Sequence, residues 1–517
     1  MGIPSYYKKL IKTSRGLVTT YKHDVDWLFM DFNCLIYHCI SPYPGDDNGD
    51  DNGDDKKEEW EASLLTSIRA YCVQVYKQVA PKQGVFIAID GVVPMAKMRQ
   101  QRLRRFKSIW LAKQESVQKW DTNAITPGTE FMRRLRVMLE QMIREGLPFF
   151  LSSSDEPGEG EHKILAEWRK GGYKGNFAVY GLDADLIILS MLGQECCSLK
   201  NEIWLFREVQ DTPVSHTMRG VPRDAKDAKD ACNLFEWFSI NVLRSWVCTD
   251  RSILNYCCAM SILGNDFLPS SLGLKIRDNG HEYLCTILSQ MAAEGISLVD
   301  DTNELCMEGL KWLFTALSIK ESEQIGAYLV KKIEMGYGVN VPCGHNDWPL
   351  MQQEEQVLLR GRGLDPAWKS SYLSLLKHDS IATVCEEYLR GIQWNWSYYT
   401  GKPVCFNWYY SFSLPPLWEW LRDYICSLSN GLPTCEILYL ANDIRPVEQL
   451  ALVLPLESWS LIPPCPEKRL PILAPQFYPS AFSFESVGKR FFWECEAMIP
   501  MPSIKEIKEI ISEKPAY

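Results

Sequence analysis

Over the first 210 residues, short runs of β-branched and aromatic residues alternate with longer amphipathic stretches, and this alternation predicts βαβ units. The runs at 27–30, 85–89, 148–152, 177–180 and 203–206 read as strands. Stretches at about 59–79, 95–113, 129–144 and 160–169 read as helices between them. The expected fold class is α/β, with a Rossmann-like, mostly parallel sheet flanked by helices. From about Asn255 the pattern becomes mainly helical, and a Gly/Pro/Asn-rich stretch at 336–348 predicts a boundary. It divides a first unit, 1–340, from a second, 350–517, which is helical and packs against the first. That second unit is rich in Trp, Tyr and Pro, as in Gln393-Trp394-Asn395-Trp396-Ser397-Tyr398-Tyr399. Core packing accounts for most such rings, and one or two are placed to stack on bases.

One segment breaks the pattern. Residues 45–55 are a short tandem repeat of Gly, Asp and Asn. Asn48, Asp50, Asn52, Gly53 and Glu59 nearly fit a calcium loop, but its first position is not Asp, and Pro42 and Pro44 forbid the entering helix. A flexible acidic surface loop is expected instead.

Composition narrows the function. The chain has 517 residues, enough for several domains, with 46% hydrophobic and 23% charged residues, as in ordinary globular proteins. No apolar run approaches the ~20 residues needed to span a bilayer, so no membrane partner is expected. The opening Met1-Gly2-Ile3-Pro4-Ser5-Tyr6 has no secretory apolar core, and Tyr6 stands where myristoylation needs Ser or Thr. Eighteen cysteines are scattered along the chain and never spaced C-x-x-C, which reads as reduced thiols in an intracellular protein and argues against zinc. In the absence of a nuclear-localisation cluster outside the basic helix, cytoplasm is the default location. A net charge of −10 means that any nucleic-acid site must be a local basic patch. Residues 1–23 and 95–113 each carry several Lys or Arg and no acid.

The acids fall where a parallel sheet binds ligands, at the carboxyl ends of its strands. Asp31 follows the first expected strand, Asp90 the second, and Asp183 and Asp185 the fourth; Glu159 and Glu161 open the helix after the third. A single Asp in such a place is commonly a helix cap. Several converging acids repel one another unless a cation neutralises them, and hard oxygen ligands suit Mg²⁺ or Mn²⁺. Two such ions, ~4 Å apart, serve phosphodiester hydrolysis by activating water and stabilising the attacking and leaving oxygens. In the basic stretch beside Asp90, Lys97, Gln101, Arg104 and Arg105 stand at i, i+4, i+7 and i+8 and share one helix face. Such donors near a helix start can grip a terminal phosphate.

These motifs resemble the XRN 5′-to-3′ exoribonucleases, a branch of the flap-endonuclease-like (PIN-type) metal nucleases. The likeness is carried by Met1–Pro4, Asp31-Phe32-Asn33, the Asp90–Phe106 block, Pro157-Gly158-Glu159-Gly160-Glu161-His162-Lys163, Tyr180-Gly181-Leu182-Asp183-Ala184-Asp185-Leu186 and Gly264-Asn265-Asp266-Phe267-Leu268-Pro269. It continues through Pro446-Val447-Glu448-Gln449-Leu450 and Phe477-Tyr478-Pro479 to Gly488-Lys489-Arg490. The resemblance implies Asp31, Asp90, Glu159, Glu161, Asp183, Asp185 and Asp266 as catalytic metal ligands for two ions. It implies Lys97, Gln101, Arg104 and Arg105 as the 5′-phosphate pocket, and Trp408 as a base-stacking ring from the second unit. The implied substrate is single-stranded RNA with a 5′-monophosphate, degraded to 5′-mononucleotides by a monomer acting in mRNA decay. Tyr37 departs from the pattern by standing where the family places a stacking His, with His38 beside it. The 45–55 repeat reads as an insertion, and the end at Tyr517 as a short form without long C-terminal extensions.

Two rivals share these residues. A flap-type, structure-specific DNA nuclease would use the same carboxylates, although Gly264-Asn265-Asp266 runs into Phe267-Leu268-Pro269 rather than a glycine-rich duplex grip. A non-catalytic RNA-binding protein on the same fold would have little reason to keep all seven acids.

Overall fold

In a computed structural model of the chain, residues 5–13, 16–41, 53–113, 119–209, 235–247, 252–335, 348–351, 353–429 and 431–512 are described. The opening Met1–Pro4, the acidic repeat through residue 52 and the boundary at 336–347 lie outside them.

The five expected strands all form: β2 (Trp27–Asp31), β3 (Gly84–Ala88), β4 (Phe149–Ser152), β5 (Phe177–Tyr180) and β6 (Ile203–Glu208). Two more, β1 (Val18–Thr19) and β7 (Phe235–Ser239), complete a seven-stranded sheet of order β1-β7-β6-β5-β2-β3-β4. The run from β6 to β4 is parallel, with Met30 of β2 opposite Ile87 of β3 and Tyr180 of β5. Only β7 and β1 at one edge are antiparallel. The sheet is therefore mostly parallel, as the alternating pattern implied.

Helices in the first half are α1 (Tyr6–Thr13), α2 (Asn33–Cys39), α3 (Gly53–Val79), α4 (Met95–Ala112), α5 (Glu130–Arg144), α6 (Gly160–Lys170) and α7 (Asp185–Cys196). Then come α8 (Ile240–Val247), α9 (Ser252–Met260), α10 (Gly280–Ala293), α11 (Met307–Ser318) and α12 (Glu321–Met335). The remainder contains α13 (Trp368–Leu375), α14 (Ile381–Thr400), α15 (Trp418–Ser427) and α16 (Pro446–Val453). Local chemistry sets several ends. Thr129 caps α5 by accepting from Met132 N, and α14 stops at Gly401, whose φ of 77° suits only glycine well.

Alternate residues of each strand feed the two layers. Leu28, Met30, Val85, Ile87 and Tyr180 face α3 and α5. Phe29, Phe86, Ala88, Phe177 and Val179 face α6 and α7 in a core that runs on without a break into α14, α15 and α16. Helix α7 is buried on all sides from Asp185 to Gln194, so the turn at its start is held rigidly.

Candidate active site

The parallel strands deliver their carboxyl ends to one crevice. β2 ends on Asp31, and Asp90 follows β3 by two residues. Asp183 lies in the turn after β5, and Asp185 opens α7. Glu159 is the residue before α6, and Glu161 sits in its first turn. Oxygens of Asp31, Asp90 and Glu161 lie within 4.8 Å of one another, which no unneutralised carboxylates favour.

Backbone and amide donors hold this set in place. Gly160 N donates to Asp90 Oδ1 at 2.8 Å, and Asn33 Nδ2 donates to Asp90 Oδ2 at 2.9 Å. Lys163 Nζ donates to Ile89 O at 2.6 Å and Ser153 O at 2.7 Å, tying α6 to the end of β3. Gly160 is required by space: a Cβ there would lie 2.6 Å from Asp31 Oδ1 and 3.1 Å from Ala88 O.

The other acids surround the triad. Lys97 of α4 ion-pairs with Glu159 and, at 2.8 Å, with Asp266, which follows the positive-φ turn at Gly264. Tyr398 of α14 donates its hydroxyl to Glu159 Oε1 at 2.9 Å and stacks on His162 at 3.8 Å between ring centroids. Burial, reinforced by Asp90 and Asp183, pushes Asp31 well above the usual carboxylate range. Burial and Glu159 do the same to Glu161, and burial and Asp183 to Asp185. Asp266 goes the other way: burial would raise it, but Lys97 together with Arg104 and other positive charge outweighs that. All seven acids expected from sequence thus act on one another in one buried crevice. Their donor set is hard oxygen without Cys or His, so the residues fit a divalent cation.

The basic helix lies alongside, though its four expected residues do not act alike. Lys97 points into the carboxylates rather than toward an open anion site, because uncompensated negative charge draws it there. Gln101 is buried and accepts from Gln449 Nε2 at 3.5 Å. Arg104 is half-buried, and its charge reaches Asp266. Arg105 is buried, within reach of Tyr37, Asp121 and Asp90, and its Nη1 has no partner. Burial, with the charge of Arg104 beside it, brings its guanidinium down to about 10.

Of the two expected stacking rings, Tyr37 on α2 is 47% exposed and near Arg105, while His38 turns away to stack on Tyr71. The Trp408 ring is buried beside Trp394, which itself stacks on Tyr398; it lies close over Gly391 of α14, and its Nε1 donates to Glu387 at 3.3 Å. The apolar side of α14 claims that ring for packing. Sequence reasoning missed the supporting roles of Asn33, Lys163 and Tyr398. Asn33 was discoverable as the second residue after a strand-end acid; Tyr398 carried no local signal, since its partner is 239 positions away.

Residues 1–208 match the family model described as "XRN 5′-3′ exonuclease N-terminus", and residues 368–512 match "Xrn1 helical domain". The chain is similar to 5′-3′ exoribonuclease 1 of Homo sapiens, 25% identical over 98% of this chain and 34% of that protein. To 5′-3′ exoribonuclease 1 of Schizosaccharomyces pombe it is 22% identical, over 100% of this chain and 49% of that protein. The 5′-3′ exoribonuclease 2 of the same yeast is 30% identical over 51% of this chain and 31% of that protein. The chain spans between 31% and 49% of the length of these relatives.

Proposed function

This chain belongs to the XRN family, and from that premise we propose that it is a 5′-to-3′ exoribonuclease acting on single-stranded RNA with a 5′-monophosphate. The carrying observation is the pairing, in one crevice, of the Asp31–Asp90–Glu161 triad with a buried Arg105 that has a free N–H. Arg105, helped by Arg104 and Gln101, takes the terminal phosphate, and Tyr37 offers its exposed ring to the first base. The seven carboxylates hold two Mg²⁺ or Mn²⁺ ions. When bound, these supply Lewis acidity at the scissile phosphate and a more acidic water. Lys97, already seated between Glu159 and Asp266, balances the negative charge that gathers there.

Hydrolysis adds water to the first internucleotide phosphorus and breaks its bond to the 3′ oxygen of the leading nucleotide. A 5′-mononucleotide leaves with a 3′-hydroxyl, and the shortened strand carries a new 5′-monophosphate, the same group the grip recognises. Repetition of this cycle suits mRNA decay in the cytoplasm by a monomer, with the region 350–517 completing the pocket.

The test is digestion of matched RNAs with 5′-monophosphate, 5′-triphosphate or capped ends, and of a 5′-monophosphate DNA strand, in Mg²⁺ or chelator. Mononucleotides are expected from the monophosphate RNA in Mg²⁺ only. Equal attack on all three RNA ends would remove Arg105 from end recognition, and preference for DNA would favour the flap-nuclease alternative.

A further inference from the structure

A cavity of about 480 Å³ opens on the flank of α4 adjoining the phosphate grip, and most of its lining has no part in the proposed reaction. Arg104 lines it, as does Asp266, so it communicates directly with the carboxylate crevice. Its other walls are strongly basic: Lys107, Lys275, Lys489 and Arg490 all face it. The acids among them are already engaged. Asp278 pairs with Lys331 at 2.7 Å and with Arg490 Nη2 at 2.8 Å, Glu494 accepts from Arg490 N at 2.8 Å, and Glu496 lies 3.5 Å from Arg99.

Two further observations point to a ligand. The Arg490 side chain is only 9% exposed, stacked 4.3 Å from the Tyr328 ring, and its Nε has no partner. A buried guanidinium N–H without an acceptor is costly unless an anion completes it. At the rim, Phe491 and Trp493 are each about two-fifths exposed, with rings 11° from parallel at 6.1 Å. The Arg277 guanidinium lies 4.7 Å and 5.1 Å from their centroids. An aromatic and arginine surface of this kind is where a nucleobase stacks. Burial, with Lys489 next, brings Lys275 down to about 7, so the lasting positive charge of the wall comes from Lys107, Lys489 and Arg490.

We propose that this cavity is an exit site for a nucleoside 5′-monophosphate, holding its phosphate among Lys107, Lys489 and Arg490 and its base against Trp493. The assignment rests on the exoribonuclease reading above. After hydrolysis the product's phosphate lies in the grip of Arg104 and Arg105. Because Arg104 belongs to both sites, the phosphate passes from one to the other without leaving positive charge. The volume is near the lower end for small-ligand pockets, which suits one nucleotide rather than a stacked run of RNA.

Nucleoside phosphate chemistry is shared by the free product and the RNA strand, and equilibrium binding separates the two. Adenosine 5′-monophosphate, adenosine and a 5′-hydroxyl decanucleotide RNA are titrated into the full chain in chelator. The same titrations use Arg105→Ala and the double variant Lys489→Ala/Trp493→Ala, with Lys489→Glu as a second cavity variant and circular dichroism as the folding check. The nucleotide is expected to occupy two sites on the parent, the grip site weakened in Arg105→Ala and the cavity site at least tenfold weaker in either cavity variant. Adenosine should bind the parent at least tenfold more weakly than its monophosphate, and decanucleotide affinity should be the same in all proteins. The proposal is overturned if the parent binds no nucleotide at millimolar concentration, or if the cavity variants bind it just as the parent does while Arg105→Ala loses all of it. It is equally overturned if the cavity variants weaken the decanucleotide alone, which would make the cavity a strand path. No turnover enters this measurement, so its failure and a failure of the exoribonuclease reading remain distinct.

Discussion

A guanidinium sealed inside a protein with one N–H facing no acceptor is costly unless an anion arrives, and Arg105 is in that position. A charged hydrogen bond there contributes about 1.5–3 kcal/mol. Arg105→Ala should therefore lower kcat/KM for 5′-monophosphate RNA by roughly 10- to 100-fold, while leaving 5′-hydroxyl RNA nearly unchanged. Paired kinetics on the two RNAs check it, and an equal fall on both would show a general structural loss. Tyr398 acts one step further out by fixing Glu159. Removing an outer partner of a metal-binding carboxylate typically costs about 10- to 100-fold in metal affinity or activity. Tyr398→Phe is thus expected to raise the Mg²⁺ concentration for half-maximal rate while keeping RNA affinity, as a Mg²⁺ titration beside an RNA-binding assay will report.

At the scale of elements, α4 is the hinge between the two halves of the sequence. Arg102 is fully buried on it and donates to Leu452 O at 2.7 Å, Pro500 O at 3.1 Å and Phe477 O, while Gln449 of α16 accepts from Val93 N at 3.0 Å. Arg102→Met would strand three carbonyls, for a loss of about 3 kcal/mol or more, read as a lower urea midpoint. Glu321 joins α12 to α15 by accepting from Trp418 N at 2.7 Å and Glu419 N at 3.2 Å, and burial raises its carboxyl to about 7. A carboxyl raised above its unfolded value binds its proton more tightly when folded. Its contribution is full below about pH 4.5 and is lost as pH rises through 7, at up to about 1.4 kcal/mol per pH unit. Urea midpoints should fall between pH 5 and 8, less so in Glu321→Gln; parallel profiles would assign the titration elsewhere. The sequence pattern disclosed the five parallel strands because their apolar runs are local. It missed β1, which is two residues long, and β7, which adds to the edge of an already formed sheet. Strand-end position likewise revealed six of the acids. Asp266 was invisible to that logic because a helix and the Gly264 turn bring it in, and family resemblance supplied it. Nothing in the basic run distinguished Arg102, which braces the fold, from Arg105, since that difference is set by partners some 350–398 positions away.

Across the whole molecule, a chain of net charge −10 gathers buried carboxylates in one crevice and several Lys and Arg around one adjoining cavity, both beside α4. The continuous apolar core beneath them, from α6 and α7 to α16, holds acids and bases at fixed separation despite their repulsion. The most direct measurement is a single-turnover digestion of RNA labelled at its 5′-monophosphate, in Mg²⁺, by the parent and by Asp183→Ala. The account predicts that the first labelled product is a mononucleotide and that the variant forms it roughly 100- to 1000-fold more slowly, the range expected when one group stabilising transition-state charge is lost. Label released in oligonucleotides, or at an undiminished rate from the variant, would contradict it.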